Sequence, residues 1–544
     1  MTARGFLTSF LKPYSNHWNL VKGLERRSAS VIGSCRSTGP EAPRKRAVRT
    51  GQAATMRSHR REGERMQDLV TLPAVQLTEM LRRKEISSTE LTDAYLSWNE
   101  HQAERLNAVV AIDAEQARAS ARRADDRLVA DGPVGPLHGL PITIKDSWDA
   151  AGLVSTGGDP AFAENVPSGD APVVARLREA GAVVFGKTNV PFRSQDGQTY
   201  NEVYGTTHNP WDLDRTPGGS SGGAAAALSA GLTGLDVGGD VAGSIRMPAS
   251  FCGIHGLRTS SGVLPAGGSV GKIDGLESAM AVPGPMGRTA ADLTLGWSVL
   301  ADVAGTSNVP WRVHLPESET TDLSQIRAVL WIEPPWYETD DSVVSVLRKA
   351  ASGLAEAGLK IEPGHPDIDP SEAIYLFRLM FISAAAGAIP SQVTAQMRAQ
   401  ASSFAADDWA PEAAAARALS AGHGEWLRWN VDRMRIRAAF DRLFENADVL
   451  LCPTSVVPAF PHDHSQPADA RSYRMNGRDV SYNTMIEWSG LAALTHLPAV
   501  VVPAGRTKGG LPVGLQVIGP HLSDRSLLRF AELAEPVLGG YVAP

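Results

Sequence analysis

Read for the spacing of apolar and polar positions, the chain becomes regular at about Val70. Leu77, Met80 and Leu81 recur at helical intervals, and Ser87-Ser88-Thr89-Glu90 is a capping box that opens a second helix with Leu91, Tyr95 and Leu96 on one face. The pattern then predicts a strand over 106–112 and a helix over 114–129. Gly139-Leu140-Pro141-Ile142-Thr143-Ile144-Lys145 is an apolar, β-branched run, as in a strand buried on both faces. Val173, Val174 and Leu177 predict a helix, and Ala182-Val183-Val184-Phe185 the strand after it. An alanine run over 224–228 predicts a helix that Gly231 ends, followed by a short buried strand over 235–239. Farther on, the spacing predicts helices over 293–304, 342–358 and 526–535 and strands over 327–332, 499–503 and 515–518. The stretch 371–446 reads as helix-rich.

Two interruptions of this pattern carry chemistry. Gly218-Gly219-Ser220-Ser221-Gly222-Gly223 cannot be regular helix or strand, because four glycines in six residues favour backbone states other residues avoid. It is a loop that opens the alanine helix, whose first N–H groups lack partners. Val241-Ala242-Gly243-Ser244 is a second tight turn with exposable amides. Small side chains let such amides converge on an oxyanion, which reads as a serine nucleophile beside its own oxyanion hole. Phosphate binding does not fit, since neither GxxxxGK[ST] nor GxGxxG is present; taken alone, GGSSGG fits close packing of helix on strand equally well. The other interruption is Lys145, which ends an apolar strand. A lysine at a strand end ordinarily reaches water, whereas one held in the interior loses solvation and so becomes able to accept a proton near neutral pH.

Composition narrows the class. The 544 residues, 43% hydrophobic, suffice for a large core, and no run approaches the 18 or more apolar residues of a membrane span, so a soluble protein is expected, with no membrane association. Three cysteines, Cys35, Cys252 and Cys452, argue against a disulfide framework and for a reducing, cytoplasmic compartment. None forms a CxxC pair, and His462-Asp463-His464 in a proline-rich loop reads as solvated, so no metal is expected. Charge is uneven: residues 1–65 carry 14 Lys+Arg against four acidic residues, net +10, leaving the rest of the chain at net −17. The first part lacks periodicity and reads as a disordered basic extension. It has the composition of a transit peptide or a nucleic-acid arm, but the simpler expectation is translation from upstream of a true start at Met56 or Met66, with no nucleic-acid partner.

Several stretches in order carry a resemblance: GLPITIKD, GKTN, NPWD, RTPGGSSGG, DVAGSIRMPASFCG, LPAVVVPAG and GLPVGLQVIGP. Together they resemble the amidase signature family, over roughly residues 69–535. The resemblance implies an α/β fold, a single α/β/α domain over 66–544 with a mixed central sheet flanked by helices. Its core motifs would lie in 139–262 and a variable helical pocket region in 371–446. It implies a Ser-cisSer-Lys unit with Ser244 as nucleophile, Ser220 as bridging serine, Lys145 as base and a cis peptide at Gly219-Ser220. The oxyanion hole would be the backbone N–H groups of Val241, Ala242, Gly243 and Ser244, with Ser221, Asp240 and Arg246 in support. No cofactor is implied, the partner is a small-molecule amide, and a homodimer is the family-level expectation.

The implied activity is hydrolysis of a carboxylic amide to acid and amine or ammonia through an acyl-enzyme. The turn has Ala242-Gly243 where the family usually has two glycines, which bears on substrate fit. Two alternatives share the machinery: the glutaminase (A) subunit of a tRNA-dependent amidotransferase, and a hydrolase of aryl anilides, esters, carbamates or ureas. Met247 stands where the amidotransferase subgroup typically has Gln, which counts against the first. A third reading, a basic-tailed binding protein with a dead site, conflicts with the intact Lys145, Ser220 and Ser244. The aromatic positions Tyr375, Phe377, Phe381, Trp426 and Trp429 read as core rather than pocket.

Overall fold

The strands are β1 (Val109–Ile112), β2 (Pro141–Lys145), β3 (Val183–Thr188), β4 (Tyr200–Asn201), β5 (Gly205–Thr206), β6 (Asp236–Asp240), β7 (His255–Arg258), β8 (Val282–Gly287), β9 (Arg327–Leu330), β10 (Lys360–Pro363), β11 (Val449–Pro453), β12 (Ser472–Met475), β13 (Arg478–Ser481), β14 (Ala499–Arg506) and β15 (Pro512–Ile518), and the fully buried ones, such as β2, β3, β11 and β15, form where the apolar runs are. This is a computed structural model, and it describes residues 66–271, 280–301, 315–333, 338–386, 389, 391–466 and 468–544. The basic extension 1–65 and the expectations attached to it lie outside the described residues. So do 302–304, the end of the helix expected over 293–304; its described part is Ala290–Ala301.

The main sheet has the order β10-β9-β11-β15-β14-β7-β8-β6. It is mixed: β9 runs parallel to β10 and β11, and the remaining neighbours are antiparallel. A second sheet, β1-β3-β2, continues the array past β6, because the amide of Thr143 donates to the Leu235 carbonyl and that of Gly234 to the Pro141 carbonyl, both at 3.4 Å. Alternation along β14 shows why both faces must be covered. Val500 and Val502 pack into one apolar cluster with Leu347, Leu354, Leu527 and Phe530, from the helices Asp341–Glu356 and Asp524–Leu538. Val501, between them, packs on the opposite face with Ala225, Ile245 and Ala249, beside the helices Gly222–Ser229 and Arg246–Cys252. The expected fold class, α/β with a mixed central sheet flanked by helices, is the observed one.

Boundaries differ where a turn overrides the apolar pattern. The strand expected from 106 starts at Val109, because the capped helix Ser88–Leu106 runs on to Asn107, whose left-handed backbone (φ 46°) reverses the chain. The 371–446 stretch is helical as expected, in the segments Pro370–Ala385, Ser391–Gln400, Pro411–Ser420 and His423–Phe444. Phe377 there is core, while Trp426 and Trp429 are partly buried. Among the described residues no helix is long and apolar enough to cross a membrane.

Candidate active site

Lys145 is the last residue of β2, and its side chain, 1% exposed, turns away from water. Its Nζ donates to Ser220 Oγ at 2.7 Å and to the Gly239 carbonyl at 3.4 Å. Ser220 sits in the loop before the helix Gly222–Ser229, and the Gly219-Ser220 peptide is cis. That loop lies hard against its surroundings. A Cβ on Gly219 would come within 2.5 Å of the Asp196 carbonyl oxygen, so only glycine fits there. The two serine turns are joined directly, because the amide of Ser221 donates to the carbonyl of Ser244 at 3.1 Å. Ser221 Oγ is buried and has no partner among the described residues. Ser244 itself is half-buried, so its turn stays open on one side.

Asp240 ends β6 and organises that turn. Its carboxylate accepts from the amides of Gly243 at 2.9 Å and Ile245 at 3.2 Å, and pairs with Arg246 at 2.9 Å and Arg258 at 3.2 Å. All three charged side chains are fully buried. Burial pushes the Asp240 carboxyl up, but the Arg246 and Arg258 guanidiniums outweigh it and hold the group well below the usual carboxylate range. Burial lowers Arg258 to about 10, against the attraction of Asp240.

The Amidase family profile matches residues 90–528. The chain belongs to the Amidase family. It is thus an amidohydrolase, acting on amide carbon–nitrogen bonds. Among its relatives, the A subunit of the glutamyl-tRNA(Gln) amidotransferase of Acaryochloris marina is 31% identical over 474 residues, covering 84% of this chain and 95% of that one. A solved structure of 6-aminohexanoate cyclic dimer hydrolase superposes with a TM-score of 0.68 at 26% identity, over 86% of this chain and 97% of that one. Fatty acid amide hydrolase shares the fold, with a TM-score of 0.72 at 21% identity over 88% of this chain and 86% of that one.

In this amidase one amide of the expected donor set is engaged within the turn itself. The Gly243 amide donates to the Asp240 carboxylate at 2.9 Å and so holds the turn. No hydrogen bond from the amides of Val241, Ala242 or Ser244 is seen among the described residues, which leaves these three available as donors. Gly243 also has φ +110°, and a Cβ there would meet Ser489 Cβ at 2.6 Å and Oγ at 2.7 Å. Gly243→Ala is therefore expected to displace the turn and with it the neighbouring amides, and to cut kcat/KM by about 100-fold or more, on the order of the effect of losing one well-placed donor. Wild-type turnover by this variant would show that the turn tolerates the displacement.

Three residues of this site lay outside the sequence reading. Arg258 is the second cation on Asp240. Gln516, on β15, accepts from Arg246 Nη1 at 2.5 Å and donates to the Pro453 carbonyl at 3.1 Å, while the Ser489 carbonyl takes the same Arg246 nitrogen at 2.8 Å. For Arg258 and Gln516 the one signal was polarity inside apolar strands, HGLR and PVGLQVI. The loop of His462 and His464, expected to be solvated, is half-buried instead. It pairs with the approach to the glycine loop, the amide of His462 donating to the Asp214 carbonyl at 3.1 Å and the amide of Asp463 to Gln198 Oε1 at 3.0 Å. Burial lowers His462 to about 4. Among the described residues no group of three or more His, Cys, Asp or Glu is placed to hold a metal ion.

Proposed function

We propose that the chain is a free-standing serine amidase in which Ser244 is the nucleophile, Ser220 the relay and Lys145 the base. The observation that carries this is the 2.7 Å contact of Lys145 Nζ with Ser220 Oγ, in a loop whose next amide binds the Ser244 carbonyl. A serine hydroxyl attacks an amide only as a base removes its proton, and a neutral lysine takes it through the intervening hydroxyl. Ser244 Oγ forms the bond to the amide carbon. The oxyanion meets the amides of Val241, Ala242 and Ser244, the proton returns along the relay to the leaving nitrogen, and the carbon–nitrogen bond breaks. Water, activated by the same relay, then releases the acid.

The surroundings of the turn favour an apolar acyl group. Ala242 and Met247 belong to a buried cluster with Phe251, Trp331, Phe377 and Trp488. The same cluster also holds two phenols, Tyr473, which bonds Thr484, and Tyr482, which bonds Asp196, and Trp488 Nε1 donates to Thr339 Oγ1 at 3.1 Å, so these polar groups are engaged within the protein. The second reading, a glutaminase subunit working with a partner, is favoured by the amidotransferase relatives.

A purified chain, assayed alone on aliphatic and aryl amides, anilides, an ester, a carbamate and glutamine with Ser244→Ala as control, separates the two. Turnover of apolar amides, lost in the variant, is the expected result. Slow glutamine hydrolysis alone, stimulated by tRNA and a partner protein, would replace this reading with the second.

A further inference from the structure

β6 carries a second carboxyl, Asp236, that the reaction as described does not use. It is fully buried. One oxygen, Oδ2, accepts from the hydroxyls of Thr143 at 2.7 Å and Thr188 at 3.0 Å, and the other, Oδ1, is buried with no hydrogen-bond partner among the described residues. Both threonines locate it relative to the base. Thr143 lies two residues before Lys145 on β2, so their side chains leave the same face, and Thr188 is the register partner of Lys145 across β3.

We propose that Asp236 is a positioning residue for the reaction, setting through its charge how readily Lys145 gives up its proton. This rests on the reading of Lys145 as the base. An ionised carboxylate on the face that carries the lysine favours the ammonium form, and a neutral carboxyl releases that hold. The site is built to let the charge come and go. Two hydroxyl donors favour ionisation, while a dry, half-satisfied carboxylate opposes it. In agreement, burial pushes Asp236 up to about 7, against the Thr143 and Thr188 hydroxyls, the Val237 amide and the charge of Lys187.

The other charged groups around it are few. Asp146 follows Lys145 at the end of β2 and is held by the Thr156 amide at 3.1 Å. Lys187, next to Thr188 on β3, donates to Ser155 Oγ at 3.1 Å; burial lowers it to about 8, against the attraction of Asp146, Asp149 and Asp236, and its charge in turn favours the ionised form of Asp236. The neighbouring strand β8 (VPGPMG) and the helix Gly222–Ser229 (GGAAAALS) bring no titratable side chain. Asp240, at the far end of β6 itself, is neutralised by its two arginines.

The test is the pH profile of kcat/KM on the best amide of the panel, for the wild type, Asp236→Asn and Thr188→Val, with thermal unfolding as the check on folding. In the wild type the rate is expected to rise along a limb set by Lys145. Asp236→Asn removes the negative charge and is expected to move that limb to lower pH by about one unit. Thr188→Val removes a donor to the carboxylate, keeps Asp236 neutral to higher pH and moves the limb the same way by less. A purely structural carboxyl would lower the rate at every pH and leave the limb in place; that result in whichever variants fold overturns the inference. A wild-type profile without any limb would instead overturn the lysine base, a failure distinct from this one.

Discussion

Ser244→Ala is expected to lower kcat/KM by a factor on the order of 10⁴ or more on every amide the wild type hydrolyses, with no change in the unfolding midpoint. The turn does not need the hydroxyl to hold its shape. Its backbone is fixed by the Asp240 carboxylate at the amides of Gly243 and Ile245 and by the Ser221 amide on the Ser244 carbonyl, none of which the substitution touches. On the proposed mechanism Lys145→Ala is expected to lose a similar factor, because there base, relay and nucleophile would act as one unit and their removal would not be additive. The double variant should then be no slower than either single one. Single-turnover assays with the three proteins at equal concentration check this. A Lys145→Ala enzyme within tenfold of wild type would remove lysine from the mechanism while leaving Ser244 in it.

Asp240→Asn is expected to have the largest effect on stability. Substitution strips the counter-charge from two guanidiniums, Arg246 and Arg258, that are fully buried and cannot recover their hydration. Breaking a buried pair on one side costs about 3–5 kcal/mol, read as a fall in the free energy of chemical unfolding at pH 7. Its pH dependence has a definite sign. Because the folded carboxyl is held below its ordinary value, the advantage of the wild type over Asp240→Asn is complete above the unfolded pKa of about 3.9 and is lost only as the pH falls below it. An equal stability of the two proteins at pH 7 would mean that water or a relaxed backbone reaches the arginines. Activity should fall as well, since the same carboxylate fixes Gly243.

The local pattern determined a good deal of this protein by itself. Runs of apolar, β-branched residues gave β2, β3, β14 and β15, helical spacing and the Ser87–Glu90 capping box gave the first long helix, and the glycine clusters marked the two serine turns. These are readable because helix and strand periods and glycine's backbone freedom act over a few neighbouring residues. The ordered series of motifs around them identified the family and, with it, which two serines and which lysine to watch.

What only the tertiary structure decided is which polar groups meet, because those contacts join strands remote in sequence. Lys145 reaches Ser220 across 75 residues, and Arg246 reaches Gln516 across 270. The spacing could not tell that Lys145 turns inward, that the Gly243 amide is engaged by Asp240, or that His462 and His464 are half-buried against the glycine-loop approach. Nor could it distinguish Asp236 from an ordinary solvated aspartate. A buried polar side chain is fixed by the partners that satisfy it, and for Asp236 those partners, Thr143 and Thr188, come from two other strands that only the assembled sheet sets beside β6.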